Sequence, residues 1–87
     1  MAPLKIQLAR EISRIINDRN LTQTAAGAIA GEAPSQLSLL MGGHLRGFSV
    51  ERMLRTLVRL GQNVELTLSP TPRMRRGKLA LVPRKGR

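Results

Sequence analysis

The 87 residues contain no cysteine, so there is no disulfide framework, no thiolate metal site and no thiol nucleophile, in keeping with a reducing compartment. Stability has to come from packing. Tryptophan and tyrosine are also missing and Phe48 is the one aromatic residue. Almost no surface is left on which unpaired bases could stack, which disfavours single-strand RNA readers and leaves duplex binding open. Acids are scarce: 5 Asp plus Glu stand against 15 Lys plus Arg, for a formal net charge of +10. Such an excess fits a polyanionic partner better than a neutral metabolite, nucleic acid first and an acidic membrane surface second. No apolar run approaches the ~20 residues of a membrane span, and Met1 to Ile6 lacks the charged start and long apolar run of a signal peptide. The expectation is a soluble cytoplasmic, nucleoid-associated protein with no membrane partner. The length supports one modest core, too little for most enzyme folds, so neither an enzyme nor a cofactor is expected.

Charge is unevenly distributed. Residues 70–87 carry seven bases and no acid, whereas residues 1–69 carry eight bases and five acids. Pro70, Pro72, Gly77, Pro83 and Gly86 punctuate the tail, which reads as a basic arm with a second short strand possible at 78–82. Ahead of it, Leu4, Leu8, Ile12, Ile15 and Ile16 recur at helical spacing and predict a helix over about 4–19. Asn20 suits its end. Thr22 can cap a second helix over Gln23 to Ala30, whose small residues Ala25, Ala26, Gly27, Ala28 and Ala30 allow another helix to cross closely.

Gly31 offers the positive φ that stops a helix, and Pro34 suits the first turn of the next, about 34–41. Leu37, Leu40 and Met41 form its apolar stripe; Ser35, Gln36, Ser38 and Leu39 lie wholly or partly away from the core. Gly42 and Gly43 end it, and His44 to Gly47 form a loop. Ser49 then caps a fourth helix, with Phe48 stapled against Met53, an apolar face from Val50 to Leu60, and Arg52, Arg55 and Arg59 as an exposed row. From Asn63 to Ser69 the period changes to two, with Val64, Leu66 and Leu68 on one side. This predicts a strand that needs either 78–82 or a second chain to complete its ladder. The organisation is thus a helical domain over 1–62, a dimerising strand over 63–69 and a basic tail over 70–87.

Two short helices joined by a glycine turn, the second bearing small polar groups outward, meet the needs of a duplex reader: the reading helix must fit a major groove ~12 Å wide. Residues 21–31 (LTQTAAGAIAG) and 34–43 (PSQLSLLMGG) resemble, without a gap, the XRE family of phage-repressor-like DNA-binding domains. The resemblance implies a mainly α, compact four-helix helix-turn-helix fold, followed here by the C-terminal strand or hairpin at a dimer interface of Val64, Leu66 and Leu68. It implies that Gln23 bonds a phosphate and that Pro34, Ser35 and Leu39 face base edges, with Ser38 beside them. Pro34 and Leu39 cannot form bidentate hydrogen bonds, so base reading falls to Ser35, Gln36, Ser38 and apolar contact with thymine methyls. Glu32 and Ala33 stand where the family has an apolar turn residue and a polar cap, which predicts a looser turn. Thr22, His44 and Arg46, with Arg73, Arg75 and Arg76 in the tail, are further phosphate candidates, a solvated surface being the alternative.

His44 has no carboxylate cluster for a metal site, and Ser35 and Ser38 have no histidine partner for nucleophilic catalysis. Residues 44–54 and 60–66 are similar to a compact subgroup of HigA-like antitoxins. That similarity implies a cognate toxin of the RelE/HigB type, an mRNA-cleaving enzyme inhibited by binding, and repression of the operon that encodes both; the homodimer on operator DNA is expected from the unpaired strand and from a reading helix that needs a two-fold related copy. Two other readings stay open: a partner-sequestering interaction module with weak DNA binding, and a nonspecific nucleic-acid-binding protein driven by the tail.

Overall fold

The computed structural model describes residues 3–84. Four α-helices follow one another in it: α1 (Leu4–Asp18), α2 (Gln23–Ala30), α3 (Pro34–Met41) and α4 (Val50–Arg59). Each boundary has a local cause. α1 stops where Asn20 takes a positive φ of 54° and the Leu21 N–H turns back to the Ile16 carbonyl at 3.0 Å. The Thr22 hydroxyl accepts the Ala25 N–H at 3.0 Å, and the Ser49 hydroxyl accepts the Arg52 N–H at 3.0 Å. Both satisfy amides that the first helical turn leaves without partners.

The core is one contiguous cluster. Leu8, Ile12 and Ile16 of α1 meet Leu37 and Leu40 of α3, and Phe48, Met53 and Leu60 from α4 and its ends. All these side chains are buried. α1 lies against α3 and α4, and α2 lies against the same two helices. Ala26 and Ala30 are buried to 1% exposure or less, so α2 approaches its neighbours nearly backbone to side chain, as its small residues predict.

The C-terminal strand is a correction. Among the described residues there is no strand, neither at 63–69 nor at 78–82. Period-two patterning selects a face, but a strand exists only when a neighbour supplies its ladder, and no described segment of this chain does so. Val64, Leu66 and Leu68 also do not act as one face. Val64 rests on the core, whereas Leu66 is 81% and Leu68 97% exposed. The chain reverses in a short 3₁₀ turn at Pro72–Met74 and returns to α1, where the Leu81 N–H donates to the Gln7 side-chain oxygen at 3.3 Å and Leu81 packs on the core. The radius of gyration, 14.3 Å, exceeds the ~12 Å of a compact chain of this length, in line with the exposed stretch between these two anchors. Met1, at the start of the segment read for a signal peptide, and Lys85, Gly86 and Arg87 of the basic tail lie outside the described residues.

Candidate nucleic-acid interface

α3 is amphipathic in the way a groove-entering helix must be. Leu37 is fully buried and Leu40 2% exposed, which directs the opposite side outward. Pro34, Ser35, Ser38 and Leu39 are exposed and Gln36 is half-buried. The base-facing candidates therefore occupy the free side of the helix, with Leu39 at 43% exposure a small apolar element among hydroxyls. Thr22 and Gln23 are exposed at the start of α2; the Thr22 hydroxyl already serves as the cap, which leaves first-turn N–H groups there for an anion. His44 and Arg46 are exposed in the loop after α3. Arg73, Arg75 and Arg76 are exposed around the 3₁₀ turn of the tail, on a segment separate from α2 and α3.

The turn between α2 and α3 is held more firmly than its sequence predicts. Gly27 is buried, and a Cβ on it would collide with the main-chain carbonyl oxygen of Glu32. Its own carbonyl accepts the N–H groups of Gly31 and, at 2.9 Å, Glu32. Gly31 sits at φ 71°, in the left-handed region where side chains are strained. Ala33 supplies no side-chain cap. In its place, Glu32 reaches α4: Arg52 Nε donates to Oε2 at 2.7 Å and Nη2 to Oε1 at 2.6 Å. A bidentate fork of this kind is among the stronger side-chain pairs. Arg59 adds a bond from Nη1 to the Ala30 carbonyl at 3.0 Å.

The looser turn is thus corrected, whereas the exposed arginine row holds for Arg55 and Arg59 and not for the half-buried Arg52. Arg52 and Arg59 turn toward the helix-turn-helix, while Arg55 pairs with Glu51 at 2.8 Å on the surface. Sequence reasoning missed this pair. One signal was present: Glu32 is the sole Asp, Glu, Lys or Arg between Arg19 and Arg46, so a charged partner for it has to come from another element.

The same pair carries a pH dependence. Hydrogen bonds from Arg52, helped by the charges of Arg52 and Arg59, hold the Glu32 carboxyl below its ordinary value of 4.5 against the opposing effect of burial. Its folded pKa is lower than its unfolded one, so its contribution is complete above the unfolded value and fades as pH falls through the folded one. Removing one partner of so shielded a pair, with Glu32 at 11% and Arg52 at 33% side-chain exposure, costs roughly 1–3 kcal/mol. Urea unfolding of Glu32→Gln is expected to give a lower free energy than the parent at pH 7. The gap should begin to narrow as pH drops below about 4 and close once pH has fallen through the lowered folded value; a gap that persists beyond that point would show that the carboxylate charge is not its origin.

Among the described residues no group of three or more His, Asp or Glu side chains could hold a metal, and no helix is long and apolar enough to cross a membrane. A helix-turn-helix domain family matches residues 1–69. A solved chain described as an XRE-family transcriptional regulator is similar along nearly its whole length. It superimposes with a TM-score of 0.84 at 35% sequence identity, covering 91% of this chain and 90% of the other. None of the curated proteins matches.

Proposed function

Since the chain belongs to the XRE family of helix-turn-helix transcriptional regulators, we propose that it is a sequence-specific repressor that binds operator DNA as a homodimer. The observation that carries this reading is the two-sided α3, with Leu37 and Leu40 buried and Ser35, Ser38 and Leu39 presented outward. Ser35, Gln36 and Ser38 hydrogen-bond base edges, and Pro34 and Leu39 press on thymine methyls. Thr22 and Gln23 at the start of α2, with His44 and Arg46 after α3, fix the register by holding phosphates. Two copies set their α3 helices into half-sites ~34 Å apart, one turn of DNA. Leu66 and Leu68, bare in the single chain, lie in the seam between the copies. Footprinting on the DNA upstream of the gene tests the geometry, and protection of a single unpaired half-site would refute it.

Within this reading the protein is the antitoxin of a toxin–antitoxin operon, repressing that operon and neutralising a RelE/HigB-type toxin. Exposed apolar groups on the tail, Leu79 and Val82 beside the bare leucines, favour a protein partner as well as DNA. Their exposure also supports the second reading, an interaction module for which DNA contact is minor. Co-purification with the product of the neighbouring gene, followed by a gel shift on the upstream DNA, separates the two: capture without a shift favours the module.

Arg73, Arg75 and Arg76 of the tail act on phosphates and not on bases. Ending the chain after Ser69 is therefore expected to leave sequence preference intact while affinity falls and the salt dependence becomes shallower by about 0.9 for each phosphate that is no longer neutralised. Isothermal binding across a salt series measures this. Loss of all sequence preference in a truncated protein that stays folded without Leu81, checked by thermal unfolding, would show that the tail, and not α3, carries recognition.

A further inference from the structure

The Arg52 guanidinium joins both flanks of α3. Nε and Nη2 grip Glu32, two residues before α3 begins. Its third nitrogen, Nη1, donates to the Gly47 carbonyl at 3.5 Å in the loop that follows α3, and the group lies 4.4 Å from the centre of the buried Phe48 ring. One side chain of α4 thus holds the entry to the reading helix by a fork and, by a carbonyl and a ring face, the end of the loop that leads from that helix into α4. A helix as short as α3 has little orientation of its own, and no side chain caps it at Ala33. Leu37 anchors its middle and Leu40 its last turn in the core, which leaves the tilt of its N-terminal end to the contacts that flank it.

We propose that Arg52, with Glu32 as its counter-ion, is a positioning residue for DNA recognition that fixes the tilt of α3 by tying the turn before it to the loop after it, without itself touching DNA. The proposal rests on α3 being the reading helix, and it reverses the simple electrostatic expectation for Glu32. A carboxylate beside the DNA-binding face repels phosphates, so its neutralisation should tighten binding to every duplex. Positioning requires the opposite for the operator.

Glu32→Gln and Arg52→Lys, each checked as folded well below its thermal midpoint, are titrated with operator and with unrelated duplex over a salt series. Glu32→Gln is expected to weaken operator binding on the order of tenfold, comparable to removing one hydrogen-bonded base pairing, with unrelated duplex bound as tightly as before or tighter. Arg52→Lys keeps the charge but cannot form the fork, and it should match Glu32→Gln; the double variant should be no worse than either single one. Arg52→Met should leave the salt slope unchanged. A fall of about 0.9 would instead make Arg52 a phosphate ligand and overturn the proposal, as would Glu32→Gln binding operator at parental strength or better. Amide exchange gives a readout independent of DNA: Glu32→Gln should speed exchange both at 31–33 and at 46–48, and acceleration at one flank alone overturns the clamp. Should the parent protein bind no operator, the regulatory reading fails separately while exchange still decides the clamp.

Discussion

A carboxylate on the outer side of α3, introduced as Ser35→Glu or Ser38→Glu, is expected to lower operator affinity about a hundredfold or more, since like charges forced together in an interface cost several kcal/mol. Both positions are exposed and hold no core contact, so the folded state should change by no more than about 0.5 kcal/mol. Ser35 lies in the first turn of α3, where a negative side chain is favoured by the helix dipole. Ser35→Glu is therefore expected to be at least as stable as the parent while failing to bind. A gel shift paired with thermal unfolding separates the two quantities. Retained binding by either variant would demote α3 to a packing element and remove the basis for the proposed function.

The second large effect is on stability, and its sign decides between two physical causes. Gly27 lies inside α2, where replacing glycine by alanine normally stabilises by about 1 kcal/mol because less backbone freedom is lost. Here the new methyl would collide with the Glu32 carbonyl. That group is main chain, and the same turn is held from α4 through the Glu32 carboxylate, so it cannot swing aside as a flexible side chain would. Overpacking of this kind costs about 1–3 kcal/mol, and the displaced turn would weaken the bonds to the Gly27 carbonyl as well. Gly27→Ala is expected to be destabilised by about 2 kcal/mol net, a fall in thermal midpoint of roughly 8–16 °C at about 4–8 °C per kcal/mol for a domain of this size. Operator binding should weaken further, because the turn sets the angle between α2 and α3. Ala28 offers the control: exposed and in the same helix, Ala28→Gly should cost only the helix-propensity difference of about 1 kcal/mol. A Gly27→Ala protein more stable than the parent would show that Glu32 does not press on α2.

Most of the helical framework was legible because its determinants act over four residues or fewer. The apolar spacing of Leu8, Ile12 and Ile16, the Thr22 and Ser49 caps, and the positive φ at Gly31 are local facts, each tied to one backbone amide or one helix face. The outward set on α3 was legible for the same reason. Once Leu37 and Leu40 are known to point inward, the helical period settles where Ser35, Ser38 and Leu39 point. Two features were not local. The partner of Glu32 stands 20 residues away, and the isolation of this charge between Arg19 and Arg46 signals a need for a partner without saying which one meets it. The strand at 63–69 failed for a related reason. Its alternation was real, but the ladder that would make it a strand must come from another segment, and the returning limb at Leu81 engages Gln7 of α1 instead.

Residue order alone therefore established the four helices, their ends and the polar outer side of α3, since hydrogen bonding and periodicity within a single turn of chain suffice for these. Whether the glycine turn would be loose or braced, and whether the alternating segment would find a neighbour, depended on groups brought together from distant positions. Packing α4 across α2 and α3 set the Arg52 fork on Glu32, and the docking of Leu81 on α1 left Leu66 and Leu68 uncovered. Long-range contacts of this sort are chosen by the closing of the core, where shape and burial outweigh any local preference.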